Sequence, residues 1–508
     1  MGTLGRIAPL FYLCKANRQV NAREEQASLQ GGIADVNRLL GEARFLAADQ
    51  AIAQLRRDFA DNLDLLSLHI RCRLFLGKHR DVRALLAEYR RRAGQDRHHL
   101  ECCAELFSQV QVPAEAMAIY RLLARDGNRN ARYNLAANLV ALGDLGEAES
   151  ILERLVQEWP TDGQAHQVLS GIRRVSTDSS HIPTLEKLIA RSDLALKDRI
   201  QLHYALGKEF EDIGEFRRAF EQFGRGAQLR RATMRYQVEG DLQVLELIGA
   251  EHSKPAAESD VDQRGEEAVF VFGLPRSGTT LVDRILSSHS QCDSFGEITD
   301  LPLSLMVTAG HSLPKEELVR ATAQWSGKQI ASAYLERLAQ FDSAAHKHID
   351  KTPQNFLYAG LIARSMPGAT MIWMDRHPLD ACFAMFKTLF RMGYPFSYSL
   401  QDLGHYYIAY HRLRETWQER LADRIRFQSY ERLVEKFDDE APALVAAAGL
   451  DWEPACGEFH RNRSPVATAS SAQVRQPLYT RSVGHWKHYR EQLAPLAEAL
   501  DKAGIAVE

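Results

Sequence analysis

The residues best suited to chemistry gather in VFGLPRSGTT, residues 271–280. Gly273 and Gly278 are separated by four residues, and two hydroxyl residues, Thr279 and Thr280, follow. A loop that turns from a buried strand into a helix presents free backbone N–H groups and the positive end of the helix dipole, which together attract an anion. Gly278 allows close backbone approach, the threonines add hydroxyl donors, and Arg276 adds a forked cation. A triphosphate-binding loop continues Gly-Lys-Ser/Thr; here Thr279 stands at the lysine position. That weighs against an NTP-dependent kinase, which also needs a strand-terminal Asp for magnesium. Ordinary helix capping by Ser and Thr is the plainer alternative for the hydroxyls.

The elements that must carry this loop are legible around it. AVFVFG (268–273) is a short apolar run followed by the helical TTLVDRILSSH. ATMIWMDRHP (369–378) is a second such run, followed by LDACFAMFKTLF, and RIRFQSYERLV (424–434) is a third strand-then-helix. Strands alternating with helices predict parallel βαβ units in a P-loop-like three-layer α/β domain. Ligands bind such sheets outside the carboxyl ends of the strands. The three junctions carry Arg276/Ser277/Thr279/Thr280, Arg376, and Ser429/Tyr430.

Upstream, residues 36–245 read as helix after helix. Small or apolar residues suited to a tight helix crossing recur at Ala48, Val82, Ala116, Ala148 and Ala219, with gaps of 34, 34, 32 and 71 residues. A period near 34 is that of the tetratricopeptide repeat. The best copies carry Leu206, Gly207, Phe210, Ala219, Phe223 and Ala227, and Ala136, Leu139, Ala148, Leu152 and Pro160. The expected organisation is an N-terminal arm (1–35), a repeat-like helical array (36–245), a polar linker (246–266) and an α/β domain (267–508).

Composition narrows the classes further. At 508 residues the chain exceeds one compact core. Its net charge of −3 supplies no bulk attraction for nucleic acid or an anionic membrane, so any anion site must be local. Seven scattered cysteines suit a reducing cytoplasm. No apolar run reaches bilayer-spanning length, and the short apolar stretch near the N-terminus has no evident cleavage site. Sequence spacing shows no metal-ligand cluster.

GLPRSGTTLVDRILSSHSQC resembles the 5′-phosphosulfate loop of sulfotransferases that use 3′-phosphoadenosine 5′-phosphosulfate (PAPS). The likeness is greatest to the tyrosylprotein sulfotransferase branch, where Pro-Arg-Ser-Gly-Thr-Thr is typical. It covers roughly residues 268–490, and the fused array resembles bacterial repeat-containing sulfotransferases. The resemblance implies a donor with one phosphosulfate in place of further phosphates, which would explain the missing lysine. It implies donor binding by Pro275, Arg276, Ser277, Gly278, Thr279, Thr280, Arg376, Tyr430, Ser470, His485 and Lys487. It implies catalysis by Glu297 as base, with Lys351 and Arg276 neutralising charge on the transferring sulfonate, and no metal. Two positions depart from the family pattern: Ala384 replaces a phosphate-binding Ser, and His485 replaces a Lys or Arg. Both lie on the 3′-phosphate side, where Lys387, one turn beyond Ala384, is a candidate substitute.

The expected activity is transfer of a sulfonate to an acceptor hydroxyl, with tyrosine of a peptide or protein, presented by the array, as the leading acceptor. Small-molecule and glycan acceptors are the alternative. A non-catalytic scaffold with a decayed nucleotide domain is the rival of another class. His289 and His377 are read as structural.

Overall fold

The computed structural model describes residues 8–110, 112–253, 264–391, 393–465, 471 and 473–507. The chain forms two compact units. One comprises Met1–Leu106, Asp300–Pro314 and Ala333–Asp342; the other comprises Phe107–Thr299, Lys315–Ser332 and Ser343–Glu508. Both flanks of the expected linker 246–266 belong to the second unit. Helix Val238–His252 occupies its start, and residues 254–263 lie outside the described residues.

The five small positions of the helical region share one structural role. Ala48, Val82, Ala116, Ala148 and Ala219 are each the fourth residue of a helix, in Phe45–Asp58, His79–Ala93, Pro113–Ala124, Leu145–Glu158 and Phe216–Ala232. All five are essentially fully buried. A larger side chain there would overpack the crossing, at a cost of about 1–3 kcal/mol. The helix starts are set locally. Asn62, Asn128, Asp144 and Asp162 each cap a helix by accepting from a backbone N–H three residues on.

In the first unit the helical core also receives the segment that follows Glu297 in sequence. Leu303, Met306 and Val307 of helix Asp300–Ala309 pack against the cluster around Phe45 and Ile52. Buried Asp300 is bonded to His79 Nε2 and Arg337 Nε, both at 2.9 Å. Between Glu297 and Lys351 the chain forms helices Asp300–Ala309, Lys315–Gln324 and Gly327–Leu338.

The second unit holds a five-stranded, wholly parallel sheet: β1 (Ala268–Gly273), β2 (Cys292–Ser294), β3 (Lys347–Asp350), β4 (Thr370–Asp375) and β5 (Ile425–Ser429). The strand order is β2-β3-β1-β4-β5. β1 is buried along its whole length, as a central parallel strand covered on both faces must be. Val269 and Val271 join one core with Ile285, Ile349, Ile372 and Leu433. Phe272, pointing the other way, meets Trp373 edge-on at 5.4 Å. β2 and β3 were not expected; they have three and four residues, mostly polar, and β3 gains its place by pairing with β1, and β2 by pairing with β3.

Candidate functional site

The strand order fixes where the candidate residues stand. The chain leaves β1 first toward β2 and β3 on one side and then toward β4 and β5 on the other, which makes the carboxyl end of β1 the topological switch point where ligand crevices form. Read across that edge, Glu297 stands three residues beyond β2, and Lys351, the 274–278 loop, Arg376 and Tyr430 directly follow β3, β1, β4 and β5. Neighbouring strands lie about 4.8 Å apart, so this row extends roughly 20 Å.

The loop is built under backbone strain. Arg276 has φ 69°, a left-handed conformation in a non-glycine residue, which costs about 1–3 kcal/mol and persists only where the surroundings enforce it. Gly278 has φ 103°, and a Cβ there would come within 2.6 Å of Tyr430 Cδ2. Helix Thr279–Leu286 begins directly after it. Ser277 is buried and its hydroxyl has no hydrogen-bond partner among the described residues.

Two guanidiniums meet at this loop. Arg376 donates to the Arg276 carbonyl at 2.8 Å and to the Ser482 carbonyl at 2.6 Å, and its Cζ lies 5.0 Å from the centre of the Tyr430 ring. It pairs with neither adjacent carboxylate: Asp375 is held by Arg414 at 2.6 Å, and Asp380 accepts from the Gly484 and Trp486 amides. Arg276 donates to Gln473 Oε1 at 3.0 Å. Burial and the nearby Arg376 charge pull its pKa down to about 10. Two cations pressed together in this way make the position favourable for an anion. Burial raises the Tyr430 phenol, opposed by the Arg376 charge.

These groups line a cavity of about 440 Å³, within the range of small-molecule sites. Arg276, Gly278, Thr280, Arg376, Tyr430, Ala384, Lys387 and His485 all contribute to its wall. So do Arg173, Lys208, Glu211 and Phe216 of the helical region, within the same unit. Among the described lining residues, seven are Lys or Arg and three are Asp or Glu, so the cavity is locally cationic in a chain of net negative charge.

Other expected residues stand elsewhere. Lys487 is exposed and is not part of the cavity wall. The reason is the 3-10 turn His485–Tyr489: at three residues per turn, His485 and His488 share the cavity face and Lys487 points off it. Lys387, the candidate substitute, is already held by Glu211, both of whose oxygens bind its Nζ, at 2.8 and 2.9 Å. Ser470 lies outside the described residues. Pro275, Ser277 and Thr279 are part of the loop's fold but do not line the cavity.

Glu297 and Lys351 form a pair of their own, with Nζ donating to Oε1 at 2.7 Å. The lysine side chain is 2% exposed and the glutamate 43%. Lys351 is delivered by β3 and locked when its amide donates to the Gly296 carbonyl at 2.9 Å. A residue that sequence reasoning missed, Tyr394, stands near this pair. Burial raises its phenol, and the Glu297 charge adds to that. Tyr394 also has a strained φ of 49°.

His289 accepts from the Gln291 amide at Nδ1 and donates from Nε2 to the Asp451 carbonyl, so both ring nitrogens are engaged. His377 stacks on Trp486 at 5.2 Å, and burial lowers its pKa. In the first unit, Asp64, His98 and His99 bring ligand-type atoms within 4.8 Å of one another, a cluster that sequence spacing does not reveal. No helix among the described residues is long and apolar enough to cross a membrane.

Comparison with known proteins adds a family to this geometry. Residues 268–454 match the model of the sulfotransferase family. An uncharacterized protein of Aquifex aeolicus is 29% identical over 72% of this chain, and the chain spans 49% of that relative's length. A putative protein-tyrosine sulfotransferase of Caenorhabditis briggsae is 23% identical over 44% of this chain and 81% of its own. Among solved structures, the sulfotransferase domain from the curacin biosynthetic pathway aligns with 48% of this chain and 100% of its own. Its identity is 15% and its TM-score 0.33, too loose a likeness to build on.

Proposed function

We propose that the second unit transfers a sulfonate from PAPS to an acceptor hydroxyl, with tyrosine of a peptide or protein as the acceptor. One observation carries this reading. The carboxyl edge of the sheet sets out, in spatial order, a carboxylate–ammonium pair (Glu297, Lys351), a strained anion loop (Arg276, Gly278, Thr280) and a guanidinium over a phenol ring (Arg376, Tyr430). That order suits acceptor chemistry at one end and nucleotide anchoring at the other.

In the proposed step the acceptor oxygen attacks sulfur in line. The bond from sulfur to the 5′-phosphate oxygen breaks, and 3′-phosphoadenosine 5′-phosphate leaves. Glu297 takes the acceptor proton. Lys351, held buried beside it, and Arg276, fixed by the loop, neutralise charge on the leaving oxygen and the sulfonate oxygens. Preorganised charges of this kind are usually the largest catalytic contribution. The chain offers its own cations for each developing charge, so the scheme calls for no metal. The helical region, read as tetratricopeptide-like, presents the acceptor segment in this scheme. Cys72, Cys102, Cys103, Cys292, Cys382 and Cys456 are free thiols, which suits a cytoplasmic setting.

Calorimetric titration with 3′-phosphoadenosine 5′-phosphate tests the reading. Magnesium-independent binding is expected. Tight binding of magnesium ATP with no binding of this nucleotide would replace the reading with a phosphotransferase, and binding of neither would leave a scaffold.

A further inference from the structure

We propose that Glu211 is a specificity-determining residue: its carboxylate holds Lys387 and His485, so a ligand phosphate that reaches those two cations must displace it. The inference rests on the nucleotide-binding reading above and concerns a second pair of cations on the wall of the same cavity.

Glu211 lies at the end of helix Leu196–Asp212, in the helical part of the second unit. Its Oε1 accepts from Lys387 Nζ at 2.8 Å, His485 Nε2 at 2.9 Å and Tyr489 Oη at 2.7 Å; Oε2 accepts from Lys387 at 2.9 Å. Four contacts on one carboxylate, from two cation-capable groups and a phenol, are what a phosphate oxygen edge would also collect there. The neighbouring Asp212 cannot take over this role, since it is bonded to Lys208 at 2.5 Å and to the Val175 amide at 3.0 Å. Ala384, buried one turn before Lys387 on the same wall, has no side-chain donor to offer a phosphate.

The two groups of cations on this wall therefore differ in what an incoming anion meets. At the loop, Arg376 is bonded to main-chain carbonyls and brings its charge with no carboxylate partner among the described residues. Lys387 and His485 are already neutralised by a side chain, Glu211. A nucleotide with one phosphate, seated in the loop, does not contest Glu211. A nucleotide with a second phosphate on its ribose does, and its affinity carries the cost of breaking a half-buried ion pair.

The test compares two probes, 3′-phosphoadenosine 5′-phosphate and adenosine 5′-phosphate, by calorimetry on the full chain. Glu211→Gln keeps the side-chain shape and removes the charge. It is expected to tighten the bisphosphate by about fivefold or more while leaving the monophosphate within about twofold. Lys387→Gln, a second variant that does not depend on Glu211→Gln folding, is expected to weaken the bisphosphate alone. An unchanged ratio of the two affinities in either folded variant overturns the proposal and leaves the transfer reading intact. Failure of the wild-type chain to bind either probe overturns the transfer reading, and this proposal with it.

Discussion

The two halves of the sheet edge hold charge in different ways. On the β2–β3 side, the ammonium of Lys351 is buried against the half-exposed carboxylate of Glu297, an ion pair at 2.7 Å. On the β4–β5 side, Arg376 spends its hydrogen bonds on carbonyls and lies over Tyr430. A paired lysine next to a carboxylate can exchange partners as a reaction proceeds. A guanidinium tied to the main chain cannot move far, and suits holding a ligand still. Under the proposed function, turnover falls to one side and affinity to the other.

Variants on the two sides should therefore fail differently. Lys351→Ala gives the largest effect: turnover of labelled donor should fall about 100- to 1000-fold, with affinity for 3′-phosphoadenosine 5′-phosphate nearly unchanged. Comparable losses in both would erase the distinction. Arg376→Ala should show the mirror image, a loss in nucleotide affinity of about 10- to 100-fold from a charge-assisted contact, read by calorimetry, with turnover at saturating donor falling much less. Gly278→Ala sharpens the comparison at the seam between the sides. Its Cβ would meet Tyr430 at a φ that side chains avoid, so a drop of about 1–3 kcal/mol in urea-unfolding stability is expected along with weakened binding. Wild-type behaviour of this variant would mean the loop does not need its observed shape.

The smallest effect concerns pH. Burial alone would raise the Glu211 carboxyl, but the Lys387 charge and the hydrogen bond from His485 outweigh it and hold it below the usual carboxylate range. Tyr489 also faces it, and Asp212 adjoins it. A depressed folded pKa contributes stability above the unfolded value near 4.3, which is lost as pH falls toward the folded value, at about 1.4 kcal/mol per unit. Wild type should lose more stability than Glu211→Gln between about pH 5 and pH 3. Parallel urea midpoints for the two proteins over that window would contradict the assignment.

Much of the anchoring side was legible because it is local. Arg376 follows an apolar run and Tyr430 a stretch that alternates apolar and polar residues, both readable as strands, and the loop between β1 and its helix is one continuous stretch. The chemical side was harder to read. β2 and β3 are short and polar, so Glu297 and Lys351 entered through family resemblance rather than through any strand pattern around them. Tyr394 gave no signal, because its proximity to Glu297 depends on how the segment after helix Pro378–Phe386 returns to the sheet edge. Lys487 stands off the cavity wall because of the 3-10 geometry of its turn, which decides which side chains share a face and is not marked in the sequence.

By itself the sequence determined the strand-turn-helix that makes the anion loop, the recurrence of small residues at the fourth position of successive helices, and the residue types at three strand ends. Each depends on contacts within a few residues or on a fixed period. Only the tertiary structure decided the order β2-β3-β1-β4-β5, which sets the sequence of functions along the edge, and the capture of Lys387 and His485 by a carboxylate 176 and 274 residues away. Such pairings are selected by the packing of whole elements, and a buried ion pair leaves no periodic trace in the chain that forms it.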